Sequence, residues 1–335
     1  MHPEGARILE RLARLRSGAT LCPGMLARDV GMTPGRLREA LRVLEREERI
    51  VARQRGRAMP LDRIKGPYRV APAPPVIDDL FTRSAYAGCI GIDYSGAGRP
   101  EEAQSGIRVF AAQEGEEPRE CRARPEGPQG WSRVELHAWL RRLLDAGAPF
   151  LIGIDHGLGL PWEHARRQRL DSWEGVLEHA RRRWPTDRLT VREARERTPF
   201  PPVAEGYRLC DLWAGTAKSL FHFDVPGSVA SSTAAGLPWI ARLRRECAGR
   251  AHFWPFDGWV PPRGKSVIAE VYPSLWRRRW TAPSGLGADQ RDAWTVAAWL
   301  QWAQEGGHLE RYWQPPLAPE EKARARLEGW ILGVA

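Results

Sequence analysis

The chain has 335 residues, 42% hydrophobic and 27% charged, a balance that excludes a disordered protein and, at roughly 150 residues per domain, points to two bodies. No run reaches the ~18 uninterrupted apolar residues of a membrane helix, and the first twenty residues lack a signal peptide's apolar stretch, so a cytoplasmic protein with no membrane partner is expected. The formal net charge is +10, and it is unevenly spread: residues 1–75 carry 16 Lys+Arg against 8 Asp+Glu, and the rest carries 35 against 33. All sixteen tryptophans fall between Trp131 and Trp330, so the two ends differ in core-building material as well as in charge. The five cysteines stand singly without a C-x-x-C, which suggests neither a disulfide framework nor a cysteine zinc site.

In the basic module, Ile8, Leu9, Leu12 and Leu15 recur at helical spacing before the break at Ser17-Gly18. Pro23 to Val30 makes a second short helix and Gly31-Met32 a turn. Thr33 then caps a third helix, with Pro34 at its first position and Leu37, Leu41 and Leu44 as its buried stripe. Arg36, Arg38, Arg42 and Arg46 project from the other side, as on a recognition helix. Ile50-Val51-Ala52 followed by Gln54-Arg55-Gly56-Arg57 reads as a strand and a basic wing, with Arg55 and Arg57 placed for phosphates. The segment from Arg7 to Val70 resembles the small winged-helix family called domain of unknown function 3253. That resemblance implies a winged helix-turn-helix domain over residues 1–70, and Ala71-Pro72-Ala73-Pro74-Pro75 then opens a stiff Pro-rich linker over 71–84. A basic module favours phosphate-bearing partners through counterion release, with DNA expected over RNA. Against this, only four of the 51 basic residues are lysine, so arginines that merely solvate helix faces, and a protein-docking role, stay open.

In the remainder, Ala87 to Ile92 is an apolar run ending in Asp93-Tyr94-Ser95-Gly96, a buried strand that delivers an acid into a Gly-rich turn. Ile107 to Ala112 is the returning antiparallel strand. Ser132 with Glu135 forms a capping box for a helix stopped at Gly147. Pro149 to Ile154 is a second buried strand closed by Asp155, and Val267 to Tyr272 a third that carries Glu270 inside it. A last helix from about Ala288 to Gln304 opens with Asp289 and Asp292.

A carboxylate in or just beyond an apolar strand loses several kcal/mol of hydration, roughly, unless it is paired or bound to a metal. Two carboxylates about 4 Å apart repel by roughly 4 kcal/mol at an effective dielectric of about 20. Converging acids therefore bind protons or a divalent cation, and hard oxygen ligands suit Mg2+ or Mn2+. The order of Asp93, Asp155, Glu270 and Asp292 resembles that of the ribonuclease H-like superfamily, and more narrowly its branch named domain of unknown function 429. Gly91-Ile92-Asp93, Ile154-Asp155 through Leu160-Pro161, Glu270-Val271-Tyr272-Pro273 and Asp289-Gln290-Arg291-Asp292-Ala293 carry the likeness.

The resemblance implies an α/β fold over residues 85–335, a mixed sheet flanked by helices, in which Asp93 and Asp155 emerge side by side. It also implies a metal-dependent nuclease that hydrolyses phosphodiesters with two metal ions. Asp93, Asp155, Glu270 and Asp292 would be catalytic and metal-ligating, and Asp289 a further metal ligand. Local roles are the alternative for each acid: turn or helix caps for the aspartates, and a water-facing edge strand for Glu270. A DNA-binding regulator or scaffold without turnover is the other function class.

About 105 residues from Pro161 to Lys265 form an insertion at about 161–265. Its tryptophans, with arginines interleaved, stack on unpaired bases, or else the tryptophans build added core. Lys265 is expected near Glu270, on a phosphate. His156, beside Asp155, is a candidate for assisting water or a leaving group, and Ser95 for a phosphate contact. Gly258 to Ser266 departs from a phosphate loop in glycine spacing, and a strand follows it instead of a helix.

Overall fold

Alternating apolar and polar strands settle which face each residue occupies, and the register between strands settles which residues meet. A computed structural model describes residues 3–13, 22–46, 50–54, 57–58, 69–72, 85–124 and 130–334. The chain divides into two compact units, Met1–Asp78 and Asp79–Ala335. No helix among the described residues is long and apolar enough to cross a membrane.

The first unit contains α1 (Pro3–Ala13), α2 (Pro23–Val30) and α3 (Pro34–Arg46), then strands β1 (Ile50–Gln54), β2 (Arg57–Ala58) and β3 (Arg69–Pro72) in the antiparallel order β2-β1-β3. Gly31 closes α2 in the left-handed region at φ 68°, which glycine adopts without a Cβ penalty. The Arg36 N–H donates to Thr33 Oγ1 at 3.4 Å, a cap at the start of α3. Ile8 and Leu12 of α1, Leu26 of α2, Leu37, Leu41 and Leu44 of α3, and Ile50 of β1 bury one small core.

The second unit is built on β4 (Gly88–Asp93), β5 (Arg108–Ala112), β6 (Arg119–Cys121), α4 (Arg133–Asp145) and β7 (Phe150–Asp155). The insertion folds mainly into helices: α5 (Trp162–Arg167), α6 (Trp173–Arg183), α7 (Val191–Arg197), α8 (Leu209–Ala214) and α9 (Ala230–Glu246). It ends in an added strand, β8 (Ala251–Trp254), before β9 (Ser266–Glu270), α10 (Ala288–Glu305), α11 (Leu309–Trp313) and α12 (Pro319–Glu328). Among the described residues the sheet has six strands in the order β6-β5-β4-β7-β9-β8. The pairs β4–β5 and β5–β6 are antiparallel, and β4–β7, β7–β9 and β8–β9 are parallel. This is a mixed α/β sheet with helices on its faces.

Successive residues of β4 serve different layers. Ile90 and Ile92 join Ile152, Ile154 and Ile268 in a core completed by α4, α6 and α9, through Leu140, Val176 and Leu237. Cys89 instead packs with Leu151, Val267 and Ala269 against Val296, Trp299 and Leu300 of α10. Gly91 lies on that α10 face, and a Cβ there would stand 2.1 Å from the Ala293 carbonyl oxygen and 2.6 Å from the Ala297 nitrogen. Helix α10 therefore rests on the strand backbone itself. The insertion's aromatics build core: Trp184 stacks on Phe200 and Trp173 on Phe256, each pair with centroids 4.0 Å apart.

Gly91→Ala tests the seating of α10. Its methyl has no room unless the helix moves, and overpacking of this kind costs about 3 kcal/mol. Urea unfolding followed by tryptophan fluorescence, which reports the second unit, should show an unfolding free energy lowered by that amount and a correspondingly lower midpoint. An unchanged midpoint would mean that the helix does not sit on the strand.

Candidate functional site

The parallel pairing of β4 with β7 puts Asp93 directly opposite Asp155, on strands about 4.8 Å apart. Both follow a glycine by two residues, Gly91 and Gly153, and both glycines face α10. The same helix carries Asp292 buried on its first turns, with Asp289 exposed at its start. Three aspartates from three elements thus share one end of the sheet. Asp93 and Asp155 keep some surface, yet the protein packed around them makes lost hydration the largest influence on both. Burial, then repulsion from Asp155, Asp292 and Asp289, pushes the Asp93 acid up to about 9 against a hydrogen bond from the Tyr94 N–H. Burial, then Asp292 and Glu270, likewise pushes Asp155 well above the usual carboxylate range, with Arg277 pulling it back down. Near neutral pH Asp93 and Asp155 therefore hold protons that isolated aspartates would have released.

Glu270 stands apart from this group, which corrects the four-acid expectation. Its register partner on β7 is Ile154, one residue short of Asp155. Because strand side chains alternate, that single step sends Glu270 to the opposite face of the sheet. There both its oxygens accept from Arg208 at 2.6 Å, and Oε2 also accepts from the Leu158 N–H at 3.2 Å. Arg208 donates as well to both oxygens of Asp211, at 3.0 Å and 3.1 Å. Burial raises the Glu270 acid, and Arg208 opposes the rise.

Lys265 is also corrected. It precedes β9, five residues from Glu270, so about 17 Å of extended strand separates them. Its side chain lines a cleft of 590 Å³ together with Arg244, His252 and Asp257, at the far end of the sheet.

Asp292 has a partner of its own: Arg277 Nε donates to its Oδ1 at 2.5 Å, and Nη2 closes a second contact to Oδ2. Asp289 Oδ2 lies 3.6 Å from where a Cβ on Gly106 would stand. Among the described residues, no three histidine, cysteine, aspartate or glutamate side chains stand grouped to hold a metal ion.

Two buried arginines that the sequence reading missed fix the turns after the acids. Arg133 donates to the carbonyls of Ser95 at 3.2 Å, Ala97 at 2.7 Å and Gly98 at 2.8 Å, pinning the turn that follows Asp93. Arg208, through Glu270, holds Leu158 in the turn that follows Asp155. No local signal marks Arg208, which lies 62 residues from Glu270 in sequence. The run Arg277-Arg278-Arg279 soon after Glu270 is the one visible hint of Arg277.

Ser95 Oγ accepts from the Ala97 N–H at 3.2 Å, the plain role of a turn serine. His156 is fully enclosed and kept neutral, its acid lowered to about 4 by burial first, with Nδ1 2.9 Å from the Gly157 carbonyl. Its Nε2 faces Gly236 of α9. Arg36, Arg38 and Arg42 are exposed on α3, and Arg36 pairs with Glu4 at 2.7 Å. Arg55 and the side chains of Arg46 and Arg57 lie outside the described residues.

Compared with family models, with curated proteins and with solved structures, the chain finds no match. Function has to be argued from the site's own chemistry.

Two measurements check this electrostatic picture. The unfolded Asp93 releases its proton near pH 4, whereas the folded one keeps it to about 9. Across that window the folded state binds more protons, so stability is full below pH 4 and falls as pH rises toward 9. In chelator, Asp93→Asn should stabilise the protein at pH 8 by on the order of 1–2 kcal/mol more than at pH 5. Equal gains at both pH values would refute the repulsion. On the other face, Arg208→Met leaves Glu270 buried without a counterion and should cost about 3–5 kcal/mol. The double replacement Arg208→Met with Glu270→Met should recover much of that loss in the same unfolding assay, and no recovery would refute the pairing.

Proposed function

We propose that the second unit is a divalent-metal-dependent nuclease of the ribonuclease H-like kind, nearest the domain of unknown function 429 branch. The observation that carries this reading is Asp93, held beside Asp155 and facing α10, with its acid pushed up to about 9. Desolvated acids that repel one another are the donor set that a hard divalent cation relieves, so Mg2+ or Mn2+ fits the residues present. The order of strands supports the likeness: β4 is central, the antiparallel β5 and β6 lie on one side of it, and the parallel β7 and β9 on the other.

Asp93, Asp155 and Asp292 would hold the ions, with Asp93, which both other acids repel, as the shared ligand. When bound, such ions supply an activated water and stabilise the departing oxygen of an in-line displacement. The chain's own contribution is placement. Register sets Asp93 against Asp155, Gly91 lets α10 bring Asp292 close, and Arg133 and the Glu270–Arg208 pair hold the turns behind the two strand acids. Rigid support of this kind keeps ligands in position between turnovers. Asp289, exposed at the rim, is the outermost acid. The three helices and three-stranded sheet of the first unit support a winged-helix reading, in which exposed Arg36, Arg38 and Arg42 hold DNA and raise its concentration at an acidic site that would otherwise repel it.

A second reading, a DNA-binding regulator or scaffold without turnover, is favoured by the arginines on Glu270 and Asp292. Protein cations there do the work that metal ions would do elsewhere.

Incubation with Mg2+ or Mn2+ and a panel of single-stranded, duplex and branched DNA and RNA separates the two readings. Cleavage is expected, and Asp93→Asn and Asp155→Asn should each lower it by more than the roughly 100-fold that outer-shell changes cost at metal sites. Cleavage that survives in Asp93→Asn would place the activity elsewhere. Nucleic-acid binding with no metal uptake and no cleavage would leave the scaffold.

A further inference from the structure

Two arginines meet acids at this end of the sheet, and they are built differently. Arg208 is fully buried, divides its guanidinium between Asp211 and Glu270, and has nowhere to go. Arg277 reaches in from outside: its side chain is 52% exposed, whereas that of Asp292 is only 12% exposed. The acid belongs to the site and the arginine to its rim.

The root of Arg277 is anchored while its head is not. The neighbouring Trp276 stacks on Trp299 of α10 with centroids 4.5 Å apart, which fastens this stretch to the helix that carries Asp292. The guanidinium has Asp292 as its hydrogen-bond partner, and it takes up both carboxylate oxygens. Its charge extends to Asp155 and Asp93 as well. A single positive charge on a long, solvent-exposed side chain is thus the counterion of a three-aspartate group.

We infer that Arg277 is a built-in competitor of the divalent cation, closed on Asp292 in the metal-free protein and displaced from it when an ion is taken up. The inference rests on the metal-binding reading of the site. The physical basis is asymmetric cost. Exposed ion pairs contribute little net stability, so Arg277 can return to water cheaply. Asp292, buried on α10, has no such exit. A divalent ion also brings twice the charge to the same oxygens and carries none of the entropy cost of ordering a long side chain. The ligand set is therefore incomplete until Arg277 leaves Asp292.

The test is Mn2+ binding to the full-length chain, followed by calorimetry and by loss of the free-ion paramagnetic resonance signal. Wild type, Arg277→Ala and Arg277→Lys are compared at one pH and ionic strength, with near-ultraviolet circular dichroism to confirm folding. Arg277→Ala should bind Mn2+ about five- to tenfold more tightly than wild type. Arg277→Lys, which keeps the charge but loses the two-pronged contact, should fall between them. Unchanged or weaker binding by a folded Arg277→Ala, with wild type binding normally, would overturn the inference and make Arg277 a support that positions Asp292. If Arg277→Ala does not fold, Arg277→Lys decides: tighter binding than wild type supports competition, and equal or weaker binding overturns it. Failure of all three proteins to bind Mn2+ would remove the metal reading, and this inference with it.

Discussion

The parallel register between β4 and β7 is the constraint on which the candidate site depends. Pairing Gly91 with Gly153 and Asp93 with Asp155 lines up two glycines and two acids on one face of the sheet. The glycines let α10 lie on the strand backbone, and α10 delivers Asp292. A slip of one residue would send one acid through the sheet to the other side. Glu270 illustrates the consequence, because it sits opposite Ile154 and meets a different helix layer and a different counterion.

That division gives each face its own solution to buried charge. On the α9 side, Arg208 is enclosed with Glu270 and Asp211, a network that is costly to break and that fixes the turn after Asp155. On the α10 side, burial and mutual repulsion raise Asp93 and Asp155 so that they keep protons, and the guanidinium that faces them, Arg277, comes from the surface. A permanent ion pair serves shape. An exchangeable one leaves room for chemistry.

Much of this was legible in the sequence. The apolar runs ending at Asp93 and Asp155, the capping box of Ser132 and Glu135, the Thr33-Pro34 helix start and the two acids opening the last helix are local patterns, and each fold element they imply is present. That Asp93 and Asp155 would be neighbours was implied by the resemblance to the ribonuclease H-like superfamily and by no local pattern. What escaped was non-local. The face occupied by Glu270 depends on a one-residue register difference between strands more than a hundred residues apart, which no periodicity within either strand reveals. The same run that marked Glu270 as a buried acid was silent on its partner, because Arg208 comes from the insertion, 62 residues away in sequence, and no local pattern there sets it apart from the other arginines. Lys265 went astray for a simpler reason: proximity in sequence to Glu270 means distance in space when the intervening residues are extended.

The cost of the Asp93 environment argues for a role beyond structure. A turn-capping aspartate accepts hydrogen bonds and is lowered in pKa by them, whereas burial and three other aspartates outweigh the Tyr94 N–H at Asp93 and carry its acid the other way. Glu270, buried on the other face, is supplied with a guanidinium that occupies both its oxygens. The fold thus neutralises one buried acid with an enclosed cation and, among the described residues, leaves the register pair without one. An unrelieved like-charge group is destabilising at neutral pH, and such groups concentrate where a ligand supplies the missing charge. On that ground the α10 face, rather than the better satisfied Arg208 network, is where a divalent cation and the phosphodiester it would act on are proposed to meet.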